Sequence, residues 1–189
     1  MTKLGDIAEE ELTSKGGTDY LKLKVGDNQI RIVTEFAKRV QHFQKGDCLG
    51  QGCPNCVGEN SSPSAQYLCW VIDRTDGVIK IAQFGMGVMK MLKALSSNPQ
   101  YKFDVVPPFD ITINRVGTTK EDTKYTLLPD RADTPLTVAE NEAILKLESP
   151  AKLVVMFLNA QKKKLGMPTA SEIQGTTEDK QVDVKDIPF

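Results

Sequence analysis

Apolar and polar positions alternate from Tyr20 onward, with Leu21, Leu23 and Val25 on one side and Tyr20, Lys22 and Lys24 on the other. Gly26-Asp27-Asn28 supplies a turn, and Ile30 and Ile32 resume the alternation, so 20–34 is predicted as a β-hairpin. Residues 44–64 are rich in Gly, Cys, Pro, Asn and Ser and form an insertion rather than a regular element. Tyr67 to Arg74 alternates again, with Leu68, Trp70 and Ile72 on one face. Thr75-Asp76-Gly77 turns it, and Val78 to Phe84 returns with Ile79 and Ile81 buried. From Met86 to Ser97 the period becomes helical, with Val88, Met91, Leu92 and Leu95 on one stripe and Asn98-Pro99 as the stop. Phe109–Val116 and Thr123–Leu128 form a further hairpin. A helix starts after Thr137, where Glu140 completes a capping box, and another runs from Ser149-Pro150 to Gly166.

The order hairpin, insertion, hairpin, helix, hairpin, helices predicts a mainly β, α+β fold. That order suits an OB-fold, a five-stranded Greek-key barrel, here with an inserted metal-binding loop and peripheral helices. A generic α+β domain has the same order and stands as the alternative. The expected organisation is an acidic segment over 1–19, a core over 20–166 with its insertion at about 42–60, and a disordered acidic tail over 167–189.

Composition narrows the class. No apolar run approaches the roughly twenty residues of a membrane span, and the first residues lack the apolar stretch of a signal peptide, so a cytoplasmic protein is expected. The net charge of −1 conceals an uneven distribution. Residues 1–19 and 171–189 each carry −3, which leaves the body between them at +5. A basic body between acidic ends suits a nucleic-acid partner; ordinary surface charge is the plainer reading.

The chain's only histidine and three of its four cysteines read H-x5-C-x4-C-x2-C, as His42, Cys48, Cys53 and Cys56. Three thiolates and an imidazole at tetrahedral reach favour a single Zn²⁺. Cys69 is the alternative fourth ligand, although its place inside a strand suits a small buried residue better. Four protein ligands leave no open coordination position, so the site is expected to be structural. The His-x-Glu partner of nucleobase deaminases is absent. So are a phosphate-binding loop, an HExxH motif and a nucleophile elbow, and the chain is not expected to be an enzyme or to take a small-molecule substrate.

A single strand of nucleic acid is held by cations that track phosphates and by aromatic rings on which bases stack. The candidates here are Lys22, Lys24, Arg31, Lys38, Arg39, Arg74, Lys80, Arg115 and Lys124, with Tyr67 and Tyr125 as platforms and Trp70 read as buried. The C-terminal Asp183, Asp186, Ile187, Pro188 and Phe189 make a short hook of carboxylates and apolar groups, partly pre-organised by the proline, for a partner protein to grip.

The Asp-Ile-Pro-Phe ending resembles the tail of bacterial single-stranded-DNA-binding proteins. The predicted strand order, the His-Cys-Cys-Cys knuckle and the acidic Phe-ended tail together resemble the phage single-stranded-DNA-binding, helix-destabilising proteins, over roughly 20–130 plus the tail. Tyr67–Gly77 and Thr123-Lys124-Tyr125-Thr126 share in that likeness. The ligand spacing is shorter than in the best-known members of that family, and no strongly basic N-terminal stretch is present. The resemblance implies an OB-fold with an inserted zinc subdomain held by His42, Cys48, Cys53 and Cys56. It further implies non-specific coating of single-stranded DNA, and recruitment of replication, recombination and repair proteins through the tail in the host cytoplasm of a bacteriophage. A zinc-knuckle interaction adaptor and an RNA-binding OB protein are the alternatives.

Overall fold

The computed structural model describes residues 19–42, 45–58, 62–119 and 122–168. The acidic N-terminal segment apart from Asp19 and the hook Asp183, Asp186, Ile187, Pro188 and Phe189 lie outside the described residues. The described residues are mixed α+β, with a mostly antiparallel, open sheet of seven strands. The chain divides into two compact units, Met1–Arg39 with Ala65–Lys152, and Val40–Ser64 with Leu153–Phe189. Among the described residues no helix is long and apolar enough to cross a membrane.

The first unit is built on β1 (Gly26–Ile32), the start of β2 (Ala37–His42), β4 (Ser64–Asp73), β5 (Val78–Gly85), β6 (Ile111–Val116) and β7 (Lys124–Pro129). The pairing runs β5-β4-β1-β6-β7, antiparallel throughout. Both hairpins read from local alternation form, with Asp73↔Val78 closing β4–β5 and Val116↔Lys124 closing β6–β7. The tip of the first is a tight turn in which Gly77, at φ +72°, donates its amide to the Asp73 carbonyl at 2.7 Å. Gly117 begins the second loop at φ +94°, where an added Cβ would collide with the Asp122 backbone.

The hairpin expected over 20–34 does not form. A strand has two edges, and β1 gives one to β4 and the other to β6 (Ile30↔Asp73, Asn28↔Ile113). The chain before it is turned by Asn28, whose side chain accepts from the Lys24 amide at 2.8 Å and donates to the Lys24, Gly26 and Ile113 carbonyls. Residues 19–21 instead run parallel to β5, through Ile81 N–H to the Asp19 carbonyl and Leu21 N–H to the Ile81 carbonyl. The alternation of Leu21 and Leu23 is real, and both side chains pack on the core.

That core gathers one face of five strands: Ile30 and Ile32, Cys69 and Val71, Ala82 and Phe84, Ile111 and Ile113, with Leu127 at its margin. Helix α1 (Met86–Ser96) contributes Val88 and Leu92 and contacts both β5 and β7. Each of those side chains, fully buried, contributes about 1.5–3 kcal/mol. Strand β4 is buried on both faces rather than one: Leu68, Trp70 and Ile72 point away from that cluster and are buried too. Trp70 is closed off as expected, its indole N–H donating to the Glu148 carbonyl at 2.8 Å. Helix α2 (Val138–Ile144) starts with the predicted capping box between Thr137 and Glu140.

The second unit holds the end of β2, the two-residue β3 (Gly46–Asp47), a 3₁₀ turn over Pro54–Cys56 and most of α3 (Pro150–Lys164). The α3 boundaries follow the predicted Pro-first, Gly-last pattern, with Gly166 at φ +66°.

Candidate functional site

The candidate metal-ligating residues come together in the second unit through short local devices. The β2–β3 pairing sets Gln41 against Asp47 and His42 against Gly46, and Cys48 N–H reaches back to the Val40 carbonyl at 2.9 Å. This hairpin brings His42 and Cys48 to one end. Gly46, at φ +84°, adopts at the start of β3 a left-handed conformation that glycine tolerates best. The 3₁₀ turn, with Pro54 at its start, ties Cys56 N–H to the Cys53 carbonyl at 3.1 Å and so aims both thiols the same way. Asn55 Nδ2 then donates to the Lys45 carbonyl at 2.9 Å and fastens the knuckle to the hairpin.

The result is one cluster: His42, Cys48, Cys53 and Cys56 place their ligand atoms within 4.8 Å of one another and could hold a metal ion. Cys48 Sγ lies 3.8 Å from Cys56 Sγ, and His42 Nε2 lies 3.6 Å from Cys53 Sγ and 3.5 Å from Cys56 Sγ. His42 and Cys53 are buried while Cys56 is exposed. Burial opposes ionisation of Cys53, but hydrogen bonds from the Leu49 and Asn55 backbone, then from His42 and Cys56, outweigh it and bring the thiol down to about 7. Cys56 is pushed up to about 11, by desolvation and then by its Cys48 and Cys53 neighbours. Cys69, the alternative ligand, is not in the cluster. It is 1% exposed in the core of the first unit, and burial raises its thiol pKa far above the ordinary value.

The cationic candidates separate into two groups. Lys22, Arg115 and Tyr125 line one concavity of about 310 Å³ in the first unit, together with Leu21, Leu23, Gln83 and Phe84. Arg115 and Tyr125 are cross-strand partners. The Arg115 guanidinium donates from Nη1 to the Leu23 carbonyl at 2.7 Å, whereas its Nε is buried with no partner among the described residues. Arg39 reaches the same place, donating from Nη1 to Gln83 Oε1 at 3.4 Å. Lys24, Lys38 and Lys124 are exposed, and Tyr67 is half-buried opposite Phe84 in the β4–β5 ladder.

Arg31, Arg74 and Lys80 are engaged inside the fold. Arg74 forks onto Asp110, Nε to Oδ2 at 2.8 Å and Nη2 to Oδ1 at 3.1 Å, and its Nη1 meets Glu140. Arg31 is 6% exposed and lies 3.8 Å from the same Asp110. Burial lowers its pKa from the ordinary guanidinium value, and Asp110 opposes that pull. Lys80 is held by Asp73 and Asp76. These three charges neutralise carboxylates of their own chain, which a count of basic residues does not reveal. Asp110 and Gln83 are partners that sequence reasoning misses. The available signal is a polar residue inside an apolar run, Pro-Pro-Phe-Asp110-Ile and Ile-Ala-Gln83-Phe.

Comparison with protein-family models, curated proteins and solved structures finds no match for this chain.

Proposed function

We propose that the protein binds single-stranded DNA without sequence preference, that its first unit is an OB-type barrel carrying the strand-binding face, and that its second unit carries a structural zinc site. The observation that carries the reading is the convergence of Lys22, Arg115 and Tyr125 on one concave face, with Arg39 bonded to the same Gln83. A phenol ring, 36% exposed beside a guanidinium, offers what a flexible strand needs: a platform any base can stack on and a cation for the adjoining phosphate. Nothing in that pairing reads a base edge, so coating would be non-specific.

The barrel reading is supported by the order β5-β4-β1-β6-β7, by a core shared by all five strands, and by α1 contacting both outer strands. OB-folds are partly open barrels, so an open sheet accords with the class.

The donor set favours zinc. With Zn–S near 2.3 Å and Zn–N near 2.05 Å, tetrahedral angles call for edges of about 3.8 Å between sulfurs and about 3.5 Å from sulfur to nitrogen. Three of the six observed edges are 3.8, 3.6 and 3.5 Å, and all six lie within 4.8 Å. His42, Cys48, Cys53 and Cys56 would hold the ion, which when bound cross-links a loop that has little core of its own.

The protein would shift the balance between duplex and single strands by mass action, stabilising whichever strand it covers. The acidic Phe-ended tail would recruit replication, recombination and repair proteins.

The test is fluorescence anisotropy of labelled oligo-dT at two salt concentrations, with duplex as competitor. Tight binding that weakens with salt and is poorly competed by duplex is expected. No binding at low salt overturns the reading, and preference for an RNA strand reassigns the ligand.

A further inference from the structure

We propose that the free edge of β7, with the groove between it and α1, is a docking site for an extended peptide of a partner protein in which apolar side chains alternate with carboxylates. This goes beyond the strand-binding reading and does not depend on it.

Strand β7 ends the pairing order and is bonded to β6 on one side only, in unbroken register. Among the described residues, no backbone group of Lys124–Pro129 hydrogen-bonds to any segment other than β6. Alternate residues of a strand turn N–H and C=O to each edge, so this edge presents unpaired donors and acceptors. Pro129 blunts its far end. Tyr125–Leu128 has no such protection, and Leu128 is 53% exposed beside it.

A concavity of about 330 Å³ lies against that edge. Its lining includes both Thr126 and Leu127, and neighbouring strand residues point to opposite faces, so it meets β7 along the edge itself. The other wall is Met91, Ala94, Leu95 and Asn98, one i, i+3, i+4, i+7 stripe of α1. A void of about 150 Å³ holds a benzene ring, so this one accepts an aliphatic or aromatic side chain. An open strand edge beside an apolar hole is how an added peptide strand is held: main-chain bonds supply affinity and the hole selects the side chain.

Charge decides which peptide fits. Neither α1 nor β7 carries a carboxylate. Lys90 lies one turn before Ala94, and Lys124 shares a strand face with Thr126. Both lysines are exposed and in no ion pair among the described residues. Lys93, by the helical repeat, projects from the opposite side of α1. A second copy docked edge to edge would set these lysines against each other, and like charges oppose such pairing. A phosphodiester backbone brings no N–H groups to the strand carbonyls. A peptide with flanking carboxylates satisfies edge, hole and lysines together.

The experiment measures anisotropy of labelled short peptides that alternate Asp or Glu with Val, Ile, Leu or Phe, against the full chain at low salt. Copies with Lys in place of every carboxylate run beside them. The acidic set is expected to bind and the Lys set to bind at least about tenfold more weakly. A94E, at an exposed helix position, fills the hole and repels the carboxylates, and should weaken binding at least about tenfold. K90Q/K124Q should weaken it roughly 2- to 10-fold, while K93Q leaves it unchanged. N-methylation of alternate peptide amides should abolish binding in one of the two possible sets and spare it in the other. Wild-type fluorescence of Trp70 in each variant shows that the fold is kept, and K90Q/K124Q carries the test if A94E unfolds. No acidic peptide bound at about 1 mM overturns the proposal, as do equal binding of the Lys set or equal losses from both N-methyl sets. Binding that appears only in D179N/D183N/D186N assigns the groove to this chain's own acidic tail and overturns the partner reading.

Discussion

Asp110→Asn should unfold the first unit far more easily, although the substitution keeps the shape of the side chain. Asp110 is 5% exposed and accepts both forks of Arg74, at 2.8 and 3.1 Å, with Arg31 another 3.8 Å away. Asparagine carries no charge and has one acceptor oxygen where aspartate has two. Arg31, buried and with no other carboxylate in ion-pair range among the described residues, keeps only the longer-range attraction of Asp133 and Glu140. Removing one partner of a buried pair costs about 3–5 kcal/mol. Arg74 is one-fifth exposed and keeps Glu140, which places the loss at the lower end, near about 3 kcal/mol. With a urea m-value of about 2 kcal/mol/M, the midpoint falls by about 1.5 M. The chain's sole tryptophan, Trp70, is buried in the same unit and reports the transition by fluorescence. A midpoint within about 0.3 M of wild type, at unchanged m, would refute the reasoning. Arg74→Gln carries the companion expectation: lower stability with an unaltered salt slope for oligo-dT, because that guanidinium neutralises the chain's own carboxylates.

Metal analysis should find one equivalent per chain, lost on Cys53→Ser and retained on Cys69→Ala, since only the former belongs to the cluster; metal loss in the Cys69 variant would reopen the ligand assignment. Glu140 predicts an acid limb. Its carboxyl is held below the ordinary Glu range, first by the Thr137 backbone amide and, against the cost of burial, by Arg74. A depressed folded value means its stabilisation is complete above the unfolded value near 4.5 and disappears as pH falls through the lowered one. Glu140→Gln should therefore be less stable than wild type at pH 7, with the gap closing toward pH 3. A gap independent of pH over that range would show that the carboxylate charge contributes nothing.

The elements legible in the sequence are those whose determinants lie a few residues apart. Thr75-Asp76-Gly77 sets the β4–β5 turn, Thr137 and Glu140 cap α2, and Pro150 and Gly166 bracket α3. The His-Cys cluster belongs with them, because a two-residue strand pair and one 3₁₀ turn suffice to gather its four candidate ligands. The 20–34 hairpin is absent for the opposite reason. Alternation says that a segment can pair but not with what, and the partners of β1 lie some 40 and 85 residues away.

Charge shows the same division. Sequence identifies Arg31, Arg74, Lys80 and Arg115 equally as basic side chains on predicted strands. Folding sorts them: Asp110 and Glu140 take two, Asp73 and Asp76 take a third, and Arg115 stands beside Tyr125. Turns, caps and metal-ligand spacing can thus be read from residue order, because short-range sterics and hydrogen bonds govern them. Pairing order, and which charges stay open to a ligand, depend on contacts across the fold that no local pattern encodes.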